Sequence, residues 1–187
     1  MKVDLSLSGK LIFFSPSERG PSYFTNSLIF ICHHNKDGAI GLIINRQLDL
    51  DVEALLEGVG LDTANNLIQK KINIGGPVDT GSVFILHKDN CSWDSTMEVS
   101  KQIGLTTSMD VLEQMTKGKG PEEYILTLGY SGWDAGQLES EVSENAWIIV
   151  PGEMDLIFKT LAKDKIKGAS KLMGFDIEMI SPDYGSA

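Results

Sequence analysis

Four residues, Asn35-Lys36-Asp37-Gly38, separate two short runs that are apolar almost without interruption: 27–32 (Ser-Leu-Ile-Phe-Ile-Cys) and 39–44 (Ala-Ile-Gly-Leu-Ile-Ile). An Asp-Gly turn supplies the positive φ that tight hairpins need, so the runs are read as antiparallel neighbours. A half-buried strand alternates apolar and polar residues. These two are apolar on both faces, so helices are expected to cover the sheet they belong to.

The rest of the chain supplies the parts. Further strands are predicted at 10–14, 72–74, 83–86, 97–103, 124–128 and 147–150. A helix capped by Asp49 or Asp51 carries Val52, Leu55, Leu56 and Val59 at helical spacing, and others are expected at 63–70, from Ser108, and over 135–143, 154–163 and 165–173. Strands cluster first and later alternate with helices. The expectation is an α+β fold: a single domain, residues 1–187, with a mixed, largely antiparallel β-sheet covered by helices. A length of 187 residues suits one domain, and 42% hydrophobic with 22% charged residues suits a packed core.

Twenty-six acidic against sixteen basic residues leave a net charge of −10. Such a surface repels nucleic acid and anionic membranes unless its cations gather in one patch. Lys163, Lys165, Lys167 and Lys171 form the one notable basic cluster, read as the solvated face of a C-terminal helix. No apolar run approaches a membrane span, and 11–14 is too short for a signal-peptide core, so the chain is read as cytoplasmic. Cys32 sits in an apolar run and Cys91 in a polar one. Nothing resembles a secreted cysteine framework.

Four segments contain residue types that can do chemistry. His33 and His34 are neighbours on a strand, hence on opposite faces, and cannot share a metal. Asn45-Arg46 ends a strand, where arginine can grip an anion or clamp its own loop. Gly75-Gly76-Pro77-Val78 allows close backbone approach but lacks the Gly-Lys-Ser/Thr of a phosphate loop, and His87 follows at the end of the next strand. The longest segment, Gly129-Tyr130-Ser131-Gly132-Trp133 through Glu141, reads as a strand, a small-residue turn and a helix. Ser131 invites a nucleophile-elbow reading, but Trp133 stands where the elbow needs glycine. No complete catalytic constellation emerges, so no catalytic residue, metal or cofactor is assigned. The candidate ligand-binding set is Asn45, Arg46, Gly75, Gly76, His87, Tyr130, Ser131 and Trp133, all at predicted strand ends.

Read together, Gly9-Lys10-Leu11-Ile12 with Ser15-Pro16, the run from His34 to Arg46, Gly75-Gly76-Pro77-Val78 with Leu86-His87, and the long motif leading to Trp147 resemble the AlgH/YqgE family of small bacterial proteins. Gln47, Ile166 and the ending Gly185-Ser186-Ala187 depart from that family's usual proline, tryptophan and histidine. The family often has alanine at the position of Ser131. The resemblance implies no catalytic residue or cofactor, and some family members are labelled transcriptional regulators linked to alginate synthesis. The functional expectation is a non-enzymatic cytoplasmic protein that binds a protein partner or a small anionic ligand in a regulatory role. The alternative is a small-molecule binder or enzyme using the eight residues above. Direct DNA binding ranks last on charge.

Overall fold

The computed structural model describes residues 6–15, 22–61, 70–88 and 93–177. Along these the chain forms β1 (Leu11–Phe14), β2 (Leu28–Asn35), β3 (Gly38–Ile43), β4 (Gln47–Asp51), α1 (Val52–Gly58), β5 (Lys71–Ile74), β6 (Val78–Lys88), β7 (Met97–Ser100), β8 (Ile103–Thr106), α2 (Met109–Thr116), β9 (Tyr124–Asp134), α3 (Gln137–Ser143), β10 (Trp147–Val150) and α4 (Lys165–Met173). A π-helical turn, Asp155–Lys159, and a 3-10 turn, Ala162–Asp164, lead into α4. The predicted helix at 63–70 lies, except for Lys70, outside the described residues, as does Cys91.

The hairpin is there, with β2 and β3 antiparallel around Lys36-Asp37. Positive φ falls on Gly38, at +136°, while the Asp37 N–H donates to Asn35 Oδ1 at 2.8 Å. An Asx turn therefore closes the reversal. Ten strands join in one curled sheet ordered β10-β1-β2-β3-β9-β6-β8-β7, with β5 attached to β9 and β4 to β5. Only β5 beside β9 is parallel among the described pairs, so the fold is α+β with a largely antiparallel sheet, as predicted.

Strand pleating sorts the apolar residues. Leu11, Phe13, Leu28, Phe30 and Leu42 face Leu156, Ile157 and Ala169 of the C-terminal helical segment, whereas Ile12, Ile29, Ile31 and Ile43 face Trp133, Trp147 and Leu138 of α3. A third cluster joins Val52 and Leu56 of α1 and Val111, Leu112 and Met115 of α2 to Ile72, Ile85 and Leu126. Both faces are covered, which is why β1 to β3 tolerate unbroken apolar sequence.

Four expectations need correction. Residues 47–51 form β4, an edge strand whose Leu48 and Leu50 alternate with polar residues; Asp51 ends it and caps α1, accepting from the Ala54 N–H at 2.9 Å. The segment 97–103 is not one strand: it reverses at Lys101-Gln102 into β7 and β8. The helix expected at 154–163 shrinks to the π-helical turn, because the backbone becomes extended at Thr160 and Leu161. Finally, β9 does not stop at Leu128 but runs on to Asp134, since its second half finds a new neighbour. Its first half pairs with β5 on one side, and Ser131–Asp134 pairs with β3 on that same side.

Candidate functional site

The motif from Gly129 to Glu141 is thus a kinked strand followed by α3, not a strand–turn–helix loop. The kink falls where β9 changes neighbour. Gly129 has φ of +70°, a left-handed value that costs other residues about 1–2 kcal/mol. Past it, α3 is locked onto the sheet. The indole N–H groups of Trp133 and Trp147 donate to the same oxygen, Glu141 Oε2, at 2.9 and 2.7 Å. Gln137 Nε2 donates to Glu141 Oε1 at 2.8 Å, and Gln137 Oε1 accepts from the Asp134 N–H. His34 Nδ1 accepts from the Leu7 N–H, leaving its other nitrogen 3.1 Å from Glu139. Gln137, Glu139 and Glu141 thus serve the protein's own architecture.

On the opposite face of the same strands lies a groove of about 440 Å³, with no described residue of the C-terminal segment in its lining. Its floor is Ile40 and Gly132, paired across β3 and β9, with Tyr130 and Val78, paired across β9 and β6, at one end. His33 lies beside Ile40, and Asp37 and Asp134 stand on the rim. Gly132 is exposed within a strand. A Cβ there would meet only the edge of the Tyr130 ring, at 3.3 Å. Neither backbone crowding nor positive φ requires glycine at this position. An interior strand glycine of this kind keeps a surface open to close approach.

The eight residues proposed from sequence do not meet at one place. Tyr130 lines the groove; Trp133 borders it too, but its indole is committed to Glu141 on the α3 face. Gly75 and Gly76 cross directly over β9, where a Cβ on either would collide with the backbone of Gly129 or Tyr130. Ser131 is buried beneath that crossing and donates to Gly75 O at 3.1 Å. Asn45 Oδ1 accepts from the Leu28 N–H at 2.8 Å and its amide donates to Asn26 O at 2.9 Å. Arg46 donates to Tyr23 O at 2.7 Å, its guanidinium 4.9 Å from the Tyr23 ring centre. His87 is fully buried, 2.9 Å from Thr106 Oγ1 and edge-on to Trp93. It pairs with Tyr124, six strand positions or roughly 20 Å from Tyr130.

Sequence reading missed His33, Ile40, Val78, Gly132, Asp37 and Asp134 as parts of a common surface. The available signal was Gly132, a glycine inside a strand-forming run, but only the β3–β9 pairing places Ile40 beside it. Among the described residues no group of three or more His, Cys, Asp or Glu is placed to hold a metal ion, and no helix is long and apolar enough to cross a membrane.

A curled, largely antiparallel sheet with a kinked long strand, clamped by two indoles and one glutamate to a short helix, defines a distinct class of α+β protein. The chain belongs to the AlgH-like family, DUF179, whose model matches residues 11–178. A UPF0301 protein of Thiobacillus denitrificans is 38% identical over 184 residues, covering 98% of this chain and 99% of its own. One from Thioalkalivibrio sulfidiphilus is 35% identical over the full length of both. The solution structure of the AlgH protein from Pseudomonas aeruginosa superimposes with a TM-score of 0.80 at 32% identity, covering 100% of this chain and 99% of that one. The crystal structure of a Corynebacterium diphtheriae protein shares the fold at 16% identity, with a TM-score of 0.64 and coverage of 95% and 86%.

Proposed function

We propose that this protein is a cytoplasmic, non-catalytic binding protein whose single domain, residues 1–187, regulates a protein partner through the groove beside the β2–β3 hairpin. The observation that carries this reading is the open strand position at Gly132, in the interior of the sheet between β3 and β6. It leaves Ile40, Val78 and the Tyr130 ring available, the mix of aliphatic and aromatic surface that protein interfaces use at their centres. Asp37 and Asp134 on the rim select a partner segment that carries Lys or Arg beside an apolar residue. The same two carboxylates, with the net charge of −10, oppose nucleic acid and other anions at this groove. Regulation by direct DNA binding is disfavoured further because Lys165, one of four lysines in the basic cluster, is buried inside the protein. The reactive-looking side chains support a non-catalytic role too: Ser131, Asn45 and Arg46 are engaged with the protein's own carbonyls and amides.

The test is selection of short peptides on the purified protein from a random display library. Enriched sequences should pair a basic with an apolar residue and bind at least tenfold more weakly to Ile40→Asp. Equal binding to Ile40→Asp, or hydrolysis of generic ester or phosphate substrates abolished by one substitution in the groove, would overturn the proposal.

A further inference from the structure

A second cavity, away from the groove, lies where β5 and the start of β9 meet the π-helical turn. It holds about 170 Å³ and is lined by four lysines, Lys70, Lys71, Lys159 and Lys165, together with Asn73 and Tyr124. In a chain with only sixteen cationic residues and a net charge of −10, that concentration runs against the average.

The lysines differ in how they are used. Lys71 and Lys159 pair at 2.9 Å with Asp49 and Asp155 on the exposed rim. Lys70 places its ammonium 4.0 Å above the Tyr124 ring, with no carboxylate in ion-pair distance among the described residues. Lys165 is only 4% exposed. Its Nζ donates to Leu156 O at 2.9 Å and to Ile157 O. Those carbonyls are left over where the π-helical turn ends in extended backbone, so they require a donor. An ammonium has three N–H groups, and two are used here. Asn73 is 6% exposed, and its Oδ1 has no hydrogen-bond partner. An amide oxygen accepts, so what it lacks is a donor, and the cavity beside it is where that donor would sit.

We infer that this cavity is a binding site for a compact oxyanion of the phosphate class that retains a P–OH: its anionic oxygens accept from Lys70 and Lys165, its P–OH donates to Asn73 Oδ1, and Lys71 and Lys159 screen it from the rim. Its volume is several times the roughly 30 Å³ of a liquid water molecule but below the ~300 Å³ of drug-sized pockets. It therefore takes inorganic phosphate or the head of a phosphate monoester, with Leu161, 64% exposed, at the outer lip where the rest of an ester would emerge. The site is independent of the hairpin groove, so either reading can fail without the other.

The experiment is calorimetric titration of the purified full chain with inorganic phosphate and, separately, glycerol 3-phosphate, at constant ionic strength with chloride as control. Saturable binding is expected for at least one of them, weakened tenfold or more in Lys70→Ala, a substitution that removes a side chain with no hydrogen bond among the described residues and leaves the backbone bond from Val52 intact. Amide shifts on titration should centre on Asn73, Tyr124 and 159–162. Phosphate binding assigns the free ion, and binding of the ester alone assigns a phosphorylated metabolite. No saturable heat from either probe, equal affinity in Lys70→Ala, or shifts centred elsewhere would overturn the inference.

Discussion

Trp133 and Trp147 share one hydrogen-bond acceptor. Their indole rings meet edge to face with centroids 5.8 Å apart, and both N–H groups end on Glu141 Oε2. Phe14 and Phe24 pack against Trp147, and Phe24 stacks on Trp133, so the carboxylate closes an aromatic cluster beneath α3. One glutamate thus joins β9, α3 and β10. Replacing it by alanine strands two buried donors at about 1–3 kcal/mol each, so Glu141→Ala should lose about 2–6 kcal/mol of stability. Glu141→Gln retains an acceptor and should lose less than half as much. Urea unfolding followed by tryptophan emission checks both, and a larger loss in Glu141→Gln would contradict the shared-acceptor role.

Gly129 and Gly136 both have positive φ, +70° and +75°, but sit in different surroundings. A Cβ on Gly129 would approach Gly76 O and Val78 O to 2.8 Å, while one on Gly136 meets nothing within 4 Å. Gly136→Ala should therefore cost about 1 kcal/mol, the conformational share alone, and Gly129→Ala about 3 kcal/mol or more. Equal losses in chemical denaturation would show that the kink is not held by its neighbours.

The groove predicts a separation of stability from binding. Gly132→Ala adds one methyl against the Tyr130 ring edge at 3.3 Å in an open setting, so unfolding should change by less than about 1 kcal/mol. Peptides selected on the wild-type protein should bind it at least tenfold more weakly. Loss of folding instead would make Gly132 a packing glycine.

Burial lowers the Lys165 ammonium from its ordinary value to about 8, and burial also lowers Lys70. The unfolded chain keeps Lys165 protonated up to about 10.5. Between those values the unfolded state holds more protons, so the contribution of Lys165 to stability rises with pH from about 8 to about 10. Lys71 and Lys159, raised by their hydrogen bonds to Asp49 and Asp155, and Tyr124, raised by burial, act above that window. Urea midpoints measured from pH 7 to 10 should rise relative to those of Lys165→Met. A parallel pair of curves would refute the assignment.

Cys32 lies wholly within the core, and burial pushes its thiol far above the usual range. In a Cys91→Ser background, a thiol reagent should modify it at least about 1,000-fold more slowly in the native state than in urea, because access requires global opening. Fast native labelling would place Cys32 at a mobile edge of the sheet.

Local pattern made much of this architecture legible. The hairpin at 35–38, the apolar runs on both sides of it, the Ser108 and Asp51 helix starts and the strand at 147–150 all follow from residues within a few positions of one another. The errors share a cause. β4 was hidden because Asp49 and Asp51 look like caps, although one ends a strand and also starts a helix. The second half of β9 looked like a turn because its glycines and Ser131 have little strand propensity, and its extension depends on β3, ninety residues earlier in the chain.

The sequence alone determined the family, the α+β class and the pairing of β2 with β3, since these rest on short-range periodicity and on motifs readable in order. Which side chains share a surface was decided only by the tertiary structure. Arg46 and His87 looked available, but Arg46 is clamped on the carbonyl and ring of Tyr23 and His87 is buried, while Ile40, Gly132 and Val78 looked like ordinary strand residues and together open a groove. Lys70 and Asn73 come from one stretch and Lys165 from another more than ninety residues later, and they converge on one cavity. The physical reason is that partners for a buried polar group are chosen by three-dimensional proximity, and a strand's neighbour, unlike its own alternation, is not encoded within the strand.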